Sequence, residues 1–148
     1  MRLSGKFGLK DDRMKVFIDT NILFSASLFP SSIVAAAYCK AVLPPNRGYT
    51  SDYVIEELNR AYRRKAPKKM EALAEFLSEA LSELVVLHTP KELLAEECLV
   101  RDPNDHPVLR AAMVERVDIL LTGDKDLLES CVTKLEIMSP AEFLKQRF

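Results

Sequence analysis

Two aspartates stand where a chain of alternating strands and helices presents its chemistry. Asp19 directly follows the apolar run Lys15-Val16-Phe17-Ile18, and Asp124 follows Ile119-Leu120-Leu121 after Thr122-Gly123. In open α/β sheets, sites form beyond the carboxyl ends of the strands. Two carboxylates at one rim suit a hard cation: oxygen ligands favour Mg2+ or Mn2+, and Mg2+ ordinarily keeps several waters beside one or two carboxylates. Further acids can join them, from Glu56-Glu57 on one predicted helix and from Asp102-Pro103-Asn104-Asp105 at the start of another. Each acid alone has an ordinary structural explanation, as a helix cap or an Asx turn. The set is harder to explain that way. Crowded carboxylates repel and raise one another's pKa, and a divalent cation removes the repulsion.

The elements that must position these residues are legible as alternating runs. Lys15–Ile18, Leu84–Leu87 and Asp118–Thr122 read as buried strands, Tyr49-Thr50 as a weak one, and Leu135–Met138 as the last. Asn21 to Leu28 is apolar with small residues and is interrupted by Pro30, and helices are predicted from Ser31 or Ser32 to about Val42, from Ser51 or Asp52 to about Arg64, from Pro67 to about Glu83, and from the Asp102–Asp105 segment to about Glu115. Leu127-Leu128 begins a short helical turn. Thr89-Pro90-Lys91-Glu92 and Ser139-Pro140-Ala141-Glu142 both have the capping-box pattern with Pro at the first helical position, and each predicts a helix. Nearly continuous apolar strands mean a sheet covered on both faces. The expected fold is a three-layer α/β/α sandwich with a mainly parallel central sheet and right-handed crossovers. Residues 1–14 read as a flexible leader, with Met14 as an alternative start, and residues 15–148 as a single domain.

Composition narrows the function. The chain has 148 residues, 48% hydrophobic and 29% charged, which is one ordinary globular domain rather than a low-complexity segment. No apolar stretch reaches the roughly 20 residues of a membrane helix, and the first residues lack the apolar core of a signal peptide, so a cytoplasmic protein is expected. Cys39, Cys98 and Cys131 are far apart, form no metal-type spacing and read as reduced and mostly buried. A net charge of −1 excludes a globally basic nucleic-acid coat but leaves room for a local basic groove. One candidate is the run Arg60, Arg63, Arg64, Lys65, Lys68 and Lys69, on and just after the helix that carries Glu57. It puts positive charge near the acids, where it can track a phosphate backbone, with Tyr62 as a base-stacking candidate and Arg101 and Arg110 as further contacts. The competing explanation is a solvated helix end, since cations favour a helix C-terminus. Glu71, Glu75, Glu79 and Glu83 read as a solvated face. His106 reads as a first-turn helix residue, no Gly-rich phosphate loop follows the first strand, and no nucleophile motif is present.

The motifs taken together resemble those of PIN-domain nucleases. Val16-Phe17-Ile18-Asp19-Thr20-Asn21-Ile22-Leu23 is similar to the family's first motif, and Ser51 followed by Glu57-Leu58 to its second. Arg101-Asp102-Pro103-Asn104-Asp105 with Val108-Leu109 and Ala111-Ala112 resembles the third, and Leu121-Thr122-Gly123-Asp124-Lys125-Asp126-Leu127-Leu128 the fourth. The closing Ile137-Met138-Ser139-Pro140-Ala141-Glu142-Phe143-Leu144 looks like the end of the toxin-like PIN subgroup. The resemblance implies a catalytic and metal-binding quartet, Asp19, Glu57, Asp105 and Asp124, with Asp126 as an auxiliary ligand; Glu56 and Asp102 are the adjacent alternatives. It implies Asn21 as a site-supporting residue, and Thr122 is expected to orient an acidic ligand. It further implies Mg2+ or Mn2+ and hydrolysis of single-stranded RNA to 5′-phosphate and 3′-hydroxyl ends. Arg60, Arg63, Arg64 and Lys65 are then the expected RNA contacts. The implied biology is the toxin of a toxin–antitoxin pair with an antitoxin protein as partner; a housekeeping RNA-processing nuclease and a non-catalytic RNA- or protein-binding module are the alternatives. The apolar helices over residues 31–43 and 70–84 leave room for a homodimer. A phosphatase on a similar sheet is disfavoured, because Asp19 is followed by Thr20-Asn21 rather than by x-Asp.

Overall fold

The computed structural model of the chain describes residues 13–147; the expected leader falls almost wholly outside them. Five strands form one sheet: β1 Lys15–Ile18, β2 Arg47–Ser51, β3 Val85–Leu87, β4 Ile119–Leu121 and β5 Glu136–Met138. Their order is β3-β2-β1-β4-β5, and every pair is parallel. The helices are α1 Thr20–Leu28, α2 Ile33–Val42, α3 Asp52–Lys65, α4 Met70–Glu83, α5 His106–Glu115, α6 Lys125–Leu128 and α7 Pro140–Lys145. This is the expected α/β sandwich, with a wholly parallel sheet.

The central strands explain two of the three apolar runs, whereas the third forms the edge strand β3, which is not buried as expected and leaves Val86 exposed. Val16, Phe17 and Ile18 on β1 and Ile119, Leu120 and Leu121 on β4 are fully buried, as strands covered on both faces must be. At Gly48 on β2 the sheet and its helices come close enough that a Cβ would lie 2.8 Å from Leu84 Cδ2 and 2.9 Å from Val42 Cγ1. Serines start three helices: Ser32 Oγ accepts from the Ala35 amide, Ser51 Oγ from Val54, and Ser139 forms a capping box with Glu142.

The Thr89-Pro90-Lys91-Glu92 segment corrects one expectation, because no helix starts there. The Thr89 hydroxyl and amide both donate to Asp52 Oδ1 at the start of α3, so the side chain that would cap a helix instead ties the β3 exit to α3. The chain reaches α5 through two 3-10 turns, Ala95–Leu99 and Pro103–Asp105. Pro67 likewise opens a 3-10 turn before α4. The cysteines are a second correction: Cys39, Cys98 and Cys131 are all exposed.

The strand order reverses at β1. Its chain successor β2 lies on one side and β4, reached by a long crossover, on the other. The crevice at the carboxyl ends of β1 and β4 is the place where such a sheet holds ligands.

Candidate active site

The Thr122 hydroxyl links the Asp19 carboxylate to the backbone of Asp124 at that crevice. Asp19 ends β1 and caps α1, its Oδ1 accepting from the Thr20 amide at 2.7 Å. Its Oδ2 accepts from Thr122 Oγ1 at 2.7 Å and from Asn21 Nδ2 at 3.1 Å. Thr122 Oγ1 in turn accepts from the Asp124 amide at 3.0 Å. A hydroxyl that accepts from an N–H has its own proton to give, so Thr122 donates to Asp19 and orients it. Asn21 Oδ1 accepts from the Gly123 amide at 2.8 Å, stapling the β4 exit to α1. A Cβ at Gly123 would stand 3.3 Å from that oxygen. Asp124 Oδ1 caps α6 through the Asp126 amide. Burial pushes the Asp19 carboxyl above its ordinary value against the pull of the Thr122 and Thr20 hydrogen bonds, and Asp124 adds to the push.

Asp105 brings the third acid from the β3–β4 crossover. It stands at the N-cap position of α5, yet its side chain makes no capping bond. Asp102 instead caps the preceding 3-10 turn, accepting from the Asn104 amide. Asp105 is buried, and its Oδ2 has no hydrogen-bond partner among the described residues. Burial first, then the negative charges of Asp124 and Asp19, push its carboxyl up to about 8. The segment that aims it is braced on two sides. Tyr53 on α3 donates its hydroxyl to Asn104 O at 2.9 Å. Arg110 forms a bidentate pair with buried Glu97 at 2.9 Å through each of two nitrogens and donates to Pro90 O. His106 Nε2 lies 2.8 Å from Val100 O, a structural contact as expected.

Glu57, half-buried on α3, completes the set. Asp19, Glu57, Asp105 and Asp124 all line one cleft of about 420 Å3, whose walls also include Phe24, Tyr53, Arg64 and Lys65. The Glu57 carboxylate is held by Arg60, with Nη2 at 2.6 Å and Nε at 3.0 Å from Oε1. Glu56 is exposed and outside the cleft wall, bound to Arg60 Nη1. Asp126 is not part of the cleft wall either. One of its carboxylate oxygens lies with one each of Asp102 and Asp105 within 4.8 Å of one another, so Asp105 belongs to both acidic groups. Arg101 pairs with Asp126 at 2.6 Å.

The basic run divides. Arg64 and Lys65 reach the cleft, Lys65 Nζ lying 5.6 Å from the Phe24 ring centroid, whereas Arg63, Lys68 and Lys69 are exposed away from its wall. Two expected RNA contacts are corrected. Tyr62 is fully buried against Ser27 and the edge of Phe24, so it cannot stack on a base. Arg110 is committed to Glu97. Phe24 and Tyr53 were not singled out by motif, yet helical spacing marks them: Tyr53 lies one turn before Glu57, and Phe24 one turn after Thr20.

The donor set is oxygen-only, crowded, and includes a buried carboxylate oxygen with no partner among the described residues. A buried polar atom without a partner is costly. These features fit a divalent hard cation.

The fold is already represented among solved structures. The chain is similar to VapBC2 from Rickettsia felis, solved bound to a promoter DNA fragment, at 18% identity and a TM-score of 0.63 over 85% of this chain and 98% of that one. It is similar to VapBC-1 from nontypeable Haemophilus influenzae at 17% identity, TM-score 0.58, over 86% and 99%. It is similar to VapC20 from Mycobacterium tuberculosis, a toxin that cleaves the sarcin–ricin loop, at 15% identity, TM-score 0.58, over 81% and 98%. At such identities the likeness is one of fold. No curated protein matches the chain by sequence. A family model of the PIN domain matches residues 15–126, and the chain belongs to that family.

Proposed function

We propose that this protein is a divalent-cation-dependent ribonuclease that hydrolyses phosphodiester bonds in single-stranded RNA, carried on one domain over residues 15–148. The observation that carries the reading is Asp105: buried, uncapped, lacking a partner for one oxygen and pressed by Asp19 and Asp124. Asp19, Glu57, Asp105 and Asp124 are the residues to hold Mg2+ or Mn2+, with Asp126 as a neighbour behind Asp105. A bound cation supplies a water of lowered pKa and a counter-charge for the scissile phosphate. The chain's own groups do the rest. Thr122 and Asn21 fix the orientation of Asp19. Arg64 and Lys65 give the cleft wall positive charge for the phosphate backbone, and Phe24 and Tyr53 offer aromatic surface beside it. Cleavage of mixed single-stranded RNAs in Mn2+, Mg2+ or EDTA, with Asp19→Asn and Asp105→Asn as controls, tests the reading. Cleavage in EDTA, or at an undiminished rate in both variants, refutes it.

The fold shared with VapBC toxins supports a toxin with an antitoxin partner. One surface has suitable chemistry: a groove of about 510 Å3 between α1, α2 and α4, walled by Ala26, Tyr38, Val42 and Phe76 and edged by Glu75, Glu79 and Glu83. An amphipathic helix with an apolar face and basic flanks fits it. A second copy of this chain is the competing occupant, and light scattering of the protein alone separates the two. Among the described residues no single helix is long and apolar enough to cross a membrane, and a cytoplasmic setting is part of this proposal.

A further inference from the structure

Arg60 is in an unusual place for a residue on an RNA-facing helix, since its guanidinium is spent on two glutamates of its own helix. Nη2 and Nε both donate to Glu57 Oε1, at 2.6 and 3.0 Å, while Nη1 donates to Glu56 Oε1 at 3.0 Å. Among the described residues, Glu57 is the one member of the cleft quartet with an ion pair to a side chain. Asp19 and Asp124 are held by neutral donors, and Asp105 has an unpartnered oxygen. A carboxylate whose charge is taken up by a guanidinium is a poor ligand for a cation, because the same oxygen lone pairs and the same negative charge serve both.

The geometry also shows where Arg60 goes. Glu56 lies outside the cleft wall, its side chain 71% exposed, and already holds the far end of the guanidinium. Arg60 can therefore release Glu57 without losing its tether and without leaving the surface. Both pairs span one helical turn, three and four residues apart, where side chains meet without distorting the helix.

We propose that Arg60 is an exchangeable counter-ion of the metal site: it neutralises Glu57 in the cation-free protein and passes to Glu56 when a divalent cation takes Glu57. This makes Arg60 a positioning residue and gives Glu56 a function outside the ligand set. The proposal rests on the reading of the cleft as a cation site. It predicts that the chain binds cations more weakly than its acids alone would allow.

The experiment is Mn2+ binding to the full chain, followed by the EPR signal of free Mn2+ and by calorimetry, for the native protein, Arg60→Met, Arg60→Lys, Glu56→Gln and the Glu56→Gln/Arg60→Met double variant. Arg60→Met should bind Mn2+ roughly two- to fivefold more tightly, the factor by which one exposed ion pair shifts an equilibrium. Arg60→Lys should restore the weaker native affinity in part, because lysine keeps the charge but not the fork. Glu56→Gln should weaken binding in the native background and have no effect once Arg60 is gone. A simple field effect of two surface charges would make the Glu56→Gln change equal in both backgrounds, and that result overturns the exchange. Unchanged or weaker affinity in Arg60→Met overturns it as well. Asp105→Asn separates the two layers of the argument. If it abolishes Mn2+ binding while Arg60→Met does nothing, the counter-ion role alone fails; if the native chain binds no Mn2+, both readings fail.

Discussion

Replacing Asp105 with Asn should stabilise the cation-free protein, and by an amount that depends on pH. The carboxyl has an ordinary value of 3.8 and stands at about 8 in the folded chain. Below about pH 4 it is protonated in both states and contributes nothing. As pH rises further, the unfolded carboxyl ionises freely while the folded one keeps its proton, so stability falls until about pH 8 and is level beyond. The full difference is at most about 6 kcal/mol, at about 1.4 kcal/mol for each tenfold change in proton affinity. Asp124 and Asp19, two of the three largest causes of the shift, can move apart by small rotations, so about 3 kcal/mol is expected. Asparagine has the same shape and no charge to bury, and its amide can donate to the neighbouring carboxylates. For a chain of this length, with roughly 2–4 °C of melting temperature per kcal/mol, the variant should melt on the order of 10 °C higher at pH 8 in EDTA. The two proteins should converge near pH 4. Saturating Mn2+ should close or reverse the gap at pH 8, because only the native chain gains the full ligand set. Calorimetric scans from pH 4 to 9, with and without Mn2+, make the comparison. Parallel melting curves at every pH, or a variant weaker throughout, would show that Asp105 is a structural residue and that the crowding argument is wrong.

Thr122→Val removes the hydroxyl that donates to Asp19 and accepts from the Asp124 amide; it should lower single-turnover cleavage roughly 10- to 100-fold, as loss of ligand-orienting groups does, while circular dichroism stays native. Arg110→Met strands the buried Glu97 charge and should cost about 3–5 kcal/mol in urea unfolding, with RNA affinity per folded molecule unchanged. Arg64→Gln/Lys65→Gln should flatten the salt dependence of RNA binding by about 1.4 in log–log slope, about 0.7 per lost contact, whereas Arg63→Gln should leave that slope alone.

The acids and the sheet were legible in the sequence because both follow rules local to a strand end. An apolar run that stops at Asp19 or at Thr122-Gly123-Asp124 declares a central parallel strand and its chemical rim in the same few residues. The role of Asp105 was less legible. It stands at the N-cap position of α5, and only the fold shows that its side chain makes no capping bond and lines the cleft instead. The Thr89 capping box misled for the same kind of reason: Asp52, distant in sequence, claimed its hydroxyl. Tyr62 and Arg110 looked available because exposure is a tertiary property, and only packing against Ser27 and Phe24, or pairing with Glu97, decides it. In the basic run, Arg64 and Lys65 lie two helical turns beyond Glu57 and so share its face, whereas Lys68 and Lys69 lie past the end of α3.

The strand order has a consequence for synthesis. Asp19 and Asp124 are neighbours only because β4 pairs with β1, in a register that sets Ile18 beside Leu121. Everything between them is a single long loop whose closure costs chain entropy, and no bond of the rim network spans it until β4 is in place. A chain emerging from the ribosome therefore presents Asp19 without Thr122 or Asp124 beside it until β4 has been made and paired. A product truncated before Ile119 has lost β4 and β5 as well as the fourth acid. On the reading proposed above, the topology keeps the four acids from converging until β4 has been made and paired.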